Sequence, residues 1–308
     1  MKSILRVKHT MNFKAWDGYS LSQTLYPSFT LSLLSKEGNT YTKRVGLCNG
    51  LKLVDSVNSV NVLNTQCRLD YLRELCGITE DPLNIVDEVD QKFNDLYYYL
   101  LTQWRGVGLS TASNDFDHVF VSIFLSKRTS YHRNVLSWMS SLFKMVESVD
   151  ELSEIDVKNL IRSPQAIELN RVIRCYIDKV RYNVIRGNVD AVRLNLLEIK
   201  GVGPKVTYAF LLHAMRRTDF APVDTHLMYF TTKVLALRGL EPDKSVCLRY
   251  RCDCCKHQCI LGNLRSFFGR ALGYLQTVCY VHVKEFCKKV RCCECVLKGR
   301  NLCKLQHF

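Results

Sequence analysis

An amine and a carboxylate give this chain its most specific chemical potential. Lys205 closes Gly201-Val202-Gly203-Pro204-Lys205, and nineteen positions later Asp224 sits inside Pro222-Val223-Asp224-Thr225-His226. A lysine at a helix start opposes the positive end of the macrodipole, so its placement points to a task other than helix stability. Partial desolvation beside positive groups favours a free amine, which can attack an electrophilic carbon and form a Schiff base. A carboxylate close by can steady positive charge developing on a sugar. Asp224 has a second, compatible reading as the N-cap of a helix over 225–237.

The glycines frame that amine. Gly201 and Gly203 permit left-handed or closely approached backbone, and Pro204 suits the first turn of a following helix. The expected unit is helix, tight turn, helix. Backbone N–H groups at Gly201, Val202 and Gly203 would form a positive concavity able to hold a phosphate without reading base sequence. The same pattern also serves as an ordinary helix connection, so the hairpin alone does not decide function.

Cysteine is the second reactive residue type, with fifteen in 308 positions. Cys287, Cys292, Cys295 and Cys303 form one group near the C-terminus, with Cys293 able to replace Cys292. Cys247, Cys252, Cys255 and Cys259 form another, with Cys254 and His257 to spare, and both groups begin Cys-x4-Cys-x2-Cys. Clustered thiols without a secretory leader fit metal or iron–sulfur ligation in a reducing compartment, and a closed tetrahedral zinc site would use the same ligands. Cys48, Cys67, Cys76, Cys175 and Cys279 lie apart and read as plain buried thiols.

Net charge narrows the partner. The formal balance is +14, and residues 241–308 hold 13 Lys/Arg against 5 Asp/Glu, which is +8 of it. A polyanion is the expected ligand, because cations facing phosphates gain free energy from counterion release. No run approaches membrane-spanning length, so no membrane partner is expected, and the chain reads as cytoplasmic and nucleoid-associated.

The elements that must position these groups follow from periodicity. Residues 13–62 are rich in strand formers, with alternation at Phe29, Leu31 and Leu33 and a hairpin turn at Lys36-Glu37-Gly38-Asn39, which predicts an antiparallel sheet. From Leu69 the period becomes helical, and helices are expected over 116–125, 131–146, 153–161 and 165–186. Asn188 is the expected N-cap of a helix that buries Val189, Val192, Leu196 and Ile199 and runs into the glycine hairpin. The polar stretch 106–115 is the expected boundary, giving an N-terminal sheet-plus-helix region 1–108, a helical region 109–240 and a cysteine-rich helical region 241–308.

Taken together, Leu197-Glu198-Ile199-Lys200-Gly201-Val202-Gly203-Pro204-Lys205 and the downstream Asp224 segment resemble the helix–hairpin–helix DNA glycosylase superfamily, nearest its endonuclease III and 8-oxoguanine glycosylase branches. The similarity covers about two thirds of the chain, beginning at Leu125-Ser126-Lys127-Arg128-Thr129. It implies a mainly α fold with an N-terminal antiparallel α+β domain and a C-terminal cysteine-ligated metal cluster. By the same resemblance Lys205 is the nucleophile, Asp224 its electrostatic partner, and Arg128 fills the gap left by an extruded base. Cys287, Cys292, Cys295 and Cys303 would hold a [4Fe–4S] cluster, although their inner spacing departs from the common family pattern. The Cys247 group has no counterpart in that pattern and reads either as a second, structural zinc site or as a source of ligands for the first.

The function so implied is a bifunctional DNA glycosylase and AP lyase acting as a monomer on double-stranded DNA with an oxidised base. The N-terminal region tilts the lesion toward 8-oxoguanine and the cluster toward oxidised pyrimidines. The alternatives are a glycosylase for alkylated or mismatched bases and a non-catalytic, metal-stapled DNA-binding protein.

Overall fold

The computed structural model describes residues 10–63, 66–252, 255 and 259–304. Cys254 and His257, the spare ligands of the second cysteine group, lie outside the described residues. Five short strands, β1 (Met11–Lys14), β2 (Leu34–Glu37), β3 (Thr40–Lys43), β4 (Lys52–Ser56) and β5 (Ser59–Leu63), form one sheet in the order β1-β5-β4-β3-β2. All neighbours are antiparallel, and the Glu37↔Thr40 pair places the expected turn at Gly38-Asn39. Alternation buries Tyr41, Leu53, Val60 and Val62 on one face, as period-2 side-chain geometry requires.

Phe29, Leu31 and Leu33 depart from the expected strand: Phe29–Leu33 is a short 3-10 helix. Hydroxyls explain the change. Ser28 caps the Thr30 amide and donates to the Ser110 carbonyl, while the Thr30 and Ser110 hydroxyls meet at 2.5 Å. These buried polar groups compete with a strand ladder for the backbone.

The helix Phe116–Leu125 is the centre of the helical part. Its residues from Val119 onward are buried on all sides, the pattern of a helix surrounded by protein. Phe120 stacks on Tyr176 at 4.1 Å and meets Phe210 edge-on at 5.8 Å, which joins it to the helices Pro164–Tyr176 and Pro204–Met215. The 153–161 helix is displaced: the chain forms Val149–Glu154, capped by Ser148, and then a 3-10 turn Val157–Asn159. The helix expected from Asn188 forms as Val189–Glu198, with the Asn188 side chain accepting from the Ala191 amide at 3.1 Å. No helix among the described residues is long and apolar enough to cross a membrane.

The 106–115 stretch is largely buried, since its polar groups are consumed by tertiary bonds. Gly108 donates to the Thr24 hydroxyl at 2.8 Å, Thr111 to the Glu74 carbonyl at 3.0 Å and Ala112 to the His213 carbonyl at 2.9 Å. Cys48 and Cys67 also differ from expectation, being joined as a disulfide with Cα atoms 6.2 Å apart, within ordinary bridging reach. Cys76 and Cys279 are buried thiols as expected, and Cys175 is half-buried.

A buried ion pair ties sheet to helices. Lys43, fully enclosed on β3, lies 2.9 Å from Asp115, whose carboxylate also accepts from the Tyr71 hydroxyl and, at 2.6 Å, from the Leu47 amide. Burial lowers the Lys43 pKa, and the charge of Asp115 opposes that fall. Lys43→Met should therefore cost about 3–5 kcal/mol by stranding a carboxylate, while Lys43→Met with Asp115→Asn should recover part of the loss; denaturant melts of the three proteins check this.

Candidate active site

The hairpin forms where its glycines stand. Val189–Glu198 ends at Ile199, Gly201 takes a left-handed φ of 90°, and Pro204 opens the helix Pro204–Met215 with Gly203 as its N-cap. A Cβ at Gly201 would meet the Glu168 carboxylate at 2.8 Å, the movable end of a partly exposed side chain, so it is the left-handed backbone that calls for glycine there. Gly203 is different: its backbone is extended and nothing lies within 4 Å of a hypothetical Cβ. The open side is the one an external backbone could approach. Val202 serves the turn, since its side chain is buried and its amide donates to the Ile199 carbonyl at 3.1 Å.

Two cations absent from the sequence reading hold the hairpin from behind. Lys244 donates to the Ile199 and Val202 carbonyls at 3.0 and 2.8 Å, and Arg171 to the Lys200 carbonyl at 2.8 Å. These bonds satisfy carbonyls that a helix terminus leaves open. Lys244 lies 39 positions beyond Lys205 in sequence, so no local pattern marks it.

Lys205 and Asp224 line the same cavity, of about 330 Å³. Lys205 is exposed on its wall. Asp224 is the N-cap of Thr225–Tyr229, with Oδ1 accepting from the His226 and Leu227 amides at 3.0 and 2.8 Å. Its Oδ2 is 3.8 Å from His226 Nδ1. Burial acts to raise the Asp224 pKa, but hydrogen bonds from His226 and Leu227 and the charges of His226 and Lys205 prevail and hold it below the usual 3.8. The carboxylate is thus ionised at neutral pH, the state needed to face positive charge.

Other walls come from distant segments. Pro27 and Phe29 belong to the N-terminal region, Ser126 and Thr129 to the loop after the central helix, His132 to the π-helical turn Tyr131–Val135, and Gln276, Tyr280 and Lys284 to the C-terminal helical run. Burial pushes His213 and His132 down to about 4, with Lys284 adding to the effect at His132, so both imidazoles are neutral. Arg128 is exposed with a left-handed φ of 50°, between the cavity residues Ser126 and Thr129. Lys127 anchors that loop through Glu168 at 3.1 Å, which leaves Arg128 to project.

The cysteines gather in two places. Cys287 and Cys295 are buried, Cys292 and Cys303 half-buried and Cys293 exposed, so Cys292 is the inward member of its pair. Burial and the nearby thiols Cys295, Cys303 and Cys292 push Cys287 up to about 12. Trp104 donates to His282 Nδ1 at 3.1 Å, which leaves His282 Nε2 as the N–H facing Cys295 Sγ at 3.5 Å. Cys247, Cys252, Cys255 and Cys259 line a cavity of about 20 Å³. Tyr208 contacts Cys252 Sγ at 3.5 Å, and the Gly262 amide donates to Cys259 Sγ at 3.4 Å. Among the described residues, no three His, Cys, Asp or Glu side chains close on a point that could hold a single ion.

No protein-family model matches the chain, and no curated protein sequence matches it. Solved structures do. MBOgg1 in complex with a low-affinity DNA ligand is 15% identical over 90% of this chain and 96% of its own, with a TM-score of 0.69. The Clostridium acetobutylicum 8-oxoguanine glycosylase/lyase, bound to double-stranded DNA with cytosine opposite 8-oxoG, is 15% identical over 90% and 98%, with a TM-score of 0.68. The 3-methyladenine DNA glycosylase of Archaeoglobus fulgidus is 12% identical over 90% and 99%, with a TM-score of 0.63. At this identity the likeness establishes the fold alone: over 90% of its length this chain shares the architecture of these three structures.

The two roles of Asp224 are separable. Asp224→Asn should keep the helix cap and change stability at neutral pH by less than about 1 kcal/mol, whereas Asp224→Ala should lose about 1 kcal/mol. Because the folded pKa of Asp224 is depressed, its stabilisation is complete above the unfolded value near 3.8 and is lost as pH falls through the folded one. Wild type should therefore lose stability relative to Asp224→Asn below about pH 4, as read from paired denaturant melts across pH.

Proposed function

We propose that this protein is a bifunctional DNA glycosylase and AP lyase that removes an oxidised base and cuts the strand. The observation that carries the reading is the convergence of Lys205 and an ionised Asp224 on one cavity beside the glycine hairpin. Lys205 Nζ, as the free amine, attacks C1′ of an extruded nucleotide, and the bond from C1′ to the base breaks with its electron pair leaving on the base. Asp224 Oδ2, uncommitted to the amide cap, stabilises positive charge at the sugar as that bond breaks. Loss of a proton from the nitrogen and opening of the C1′–O4′ bond gives the Schiff base, with O4′ taking up a proton. Removal of a C2′ proton then expels the 3′ phosphate and cleaves the strand.

The surroundings suit such a substrate. The extended, unobstructed backbone at Gly203 is a place for strand phosphate, and Arg128 projects beside the cavity where a wedge would fill the vacated stack. The alkylated-base alternative draws on the likeness to a 3-methyladenine glycosylase.

Metal binding belongs to the same reading. The Cys287, Cys292, Cys295 and Cys303 thiols are near enough to raise the Cys287 pKa together, yet do not close on one point. A [4Fe–4S] cluster, in which each thiolate meets a different iron, is the assignment that the family resemblance supports for these four thiols. A donor at Cys295 supplied by His282 fits a thiolate sulfur. Cys247, Cys252, Cys255 and Cys259 line one small cavity, and structural zinc is our reading for that group. Both sites would supply architecture and leave the chemistry to Lys205 and Asp224.

Borohydride added during turnover of a lesion-bearing or abasic duplex should trap a covalent adduct, and Lys205→Gln should abolish it while base release falls at least about 10³-fold. DNA binding without adduct or base release would favour the non-catalytic alternative. Anaerobically purified protein should carry about four irons per chain, and zinc alone would overturn the cluster assignment.

A further inference from the structure

Lys284 is the second cation of the cavity, and the hairpin mechanism leaves it without a task. Its ammonium donates to the Tyr26 hydroxyl, stands 4.6 Å from the centre of the Tyr26 ring and 5.4 Å from that of Tyr280. Tyr26 in turn stacks on His132 at 4.4 Å, and Tyr280 lies 4.7 Å from His226. Three separate parts of the fold thus build a cage around one charge. Hydrogen bonds with Tyr26 and Tyr280 use two ammonium hydrogens and leave one. His132 lines the same cavity, and its Nε2 is buried without a hydrogen-bond partner.

The charged groups on the cavity wall are Lys205, Lys284 and Asp224, with His226 paired to Asp224. His132 and His213 are neutral, and Asp224 is held at its helix cap, so no carboxylate pairs with Lys284 in the cavity. An ammonium offers donors only. It favours a base edge that presents carbonyl oxygen, and it repels a base that carries positive charge. Oxidised bases gain carbonyl oxygens and stay neutral, whereas purines alkylated at N3 or N7 are cationic as nucleosides.

Resting on the glycosylase reading above, we infer that Lys284, presented by the Tyr26–Tyr280 cage, is a specificity determinant that selects neutral, carbonyl-edged oxidised bases and rejects cationic alkylated ones. The nucleophile and the selector are then different lysines. Lys205 acts on the sugar, common to every lesion, and Lys284 acts on the base, where lesions differ.

Single-turnover base release separates the two. Duplexes carrying 8-oxoguanine, 5-hydroxyuracil or 7-methylguanine are compared with an abasic duplex trapped by borohydride, using wild type, Lys284→Met and Lys284→Arg. Wild type should release its better oxidised base at least tenfold faster than 7-methylguanine. Lys284→Met should lose at least tenfold more in oxidised-base release than in abasic trapping, and Lys284→Arg should restore most of that difference. Equal losses in both assays would make Lys284 a backbone contact and overturn the inference, as would unchanged oxidised-base release or wild-type preference for 7-methylguanine. If wild type traps no abasic duplex and releases no base, the glycosylase reading itself fails, and the selector role with it.

Discussion

One carboxylate joins the fold to the chemistry. Asp224 gives Oδ1 to two amides at the start of Thr225–Tyr229 and keeps Oδ2 for the cavity. Thr225–Tyr229 continues without a break into the π-helical turn Phe230–Val234, so the Asp224 cap and tertiary packing fix where this whole run begins and how it points. That packing is against Leu272–His282, the helix that supplies Gln276 and Tyr280 to the same cavity. The bonds that stabilise the ionised form also offset the cost of burying it, and a single placement keeps the charge available at neutral pH.

The hairpin follows a similar division between a fixed side and an open side. Lys244 and Arg171 hold its carbonyls, Val202 is inside, and Gly203 alone meets nothing where a side chain would stand. Glu168 lies close to Gly201, where a lone acid would repel phosphate, but Lys127 pairs with it. A phosphate held at this turn would thus depend on cations that need not touch the strand. They neutralise and brace the turn, and the backbone is left to meet the ligand.

What could be read from the sequence was whatever is encoded locally. Gly201, Pro204 and Lys205 fall within five residues, Asn188 and Asp224 are capping residues read directly from type, and the helices over 116–125 and 189–198 follow from apolar spacing. The failures have tertiary causes. Phe29, Leu31 and Leu33 alternate like a strand, but hydroxyl bonds to Ser110, eighty positions away, turn the segment into a 3-10 helix. The polar 106–115 stretch resembles a linker because its bonding partners, such as Glu74 and His213, are remote. Lys284 and Tyr26 are 258 positions apart, so their contact leaves no mark in either neighbourhood.

The C-terminal thiols bear on the cavity through the same helix that forms its wall. Gln276, Tyr280 and Lys284 recur every four residues and present one face toward Lys205 and Asp224. His282, between them, points elsewhere: it accepts from Trp104 and faces Cys295. Gln103 donates to the Glu294 carbonyl at 3.0 Å, and Arg300 stacks over Tyr99 at 4.6 Å, so the thiol-bearing segment also grips Gln91–Gln103. A metal-bound thiolate group at that corner would fix the helix from behind, at the cost of no group in the cavity. The position of Lys284 would then depend on ligation one turn beyond it, at Cys287, which links architecture to the choice of base without giving the metal any part in the reaction.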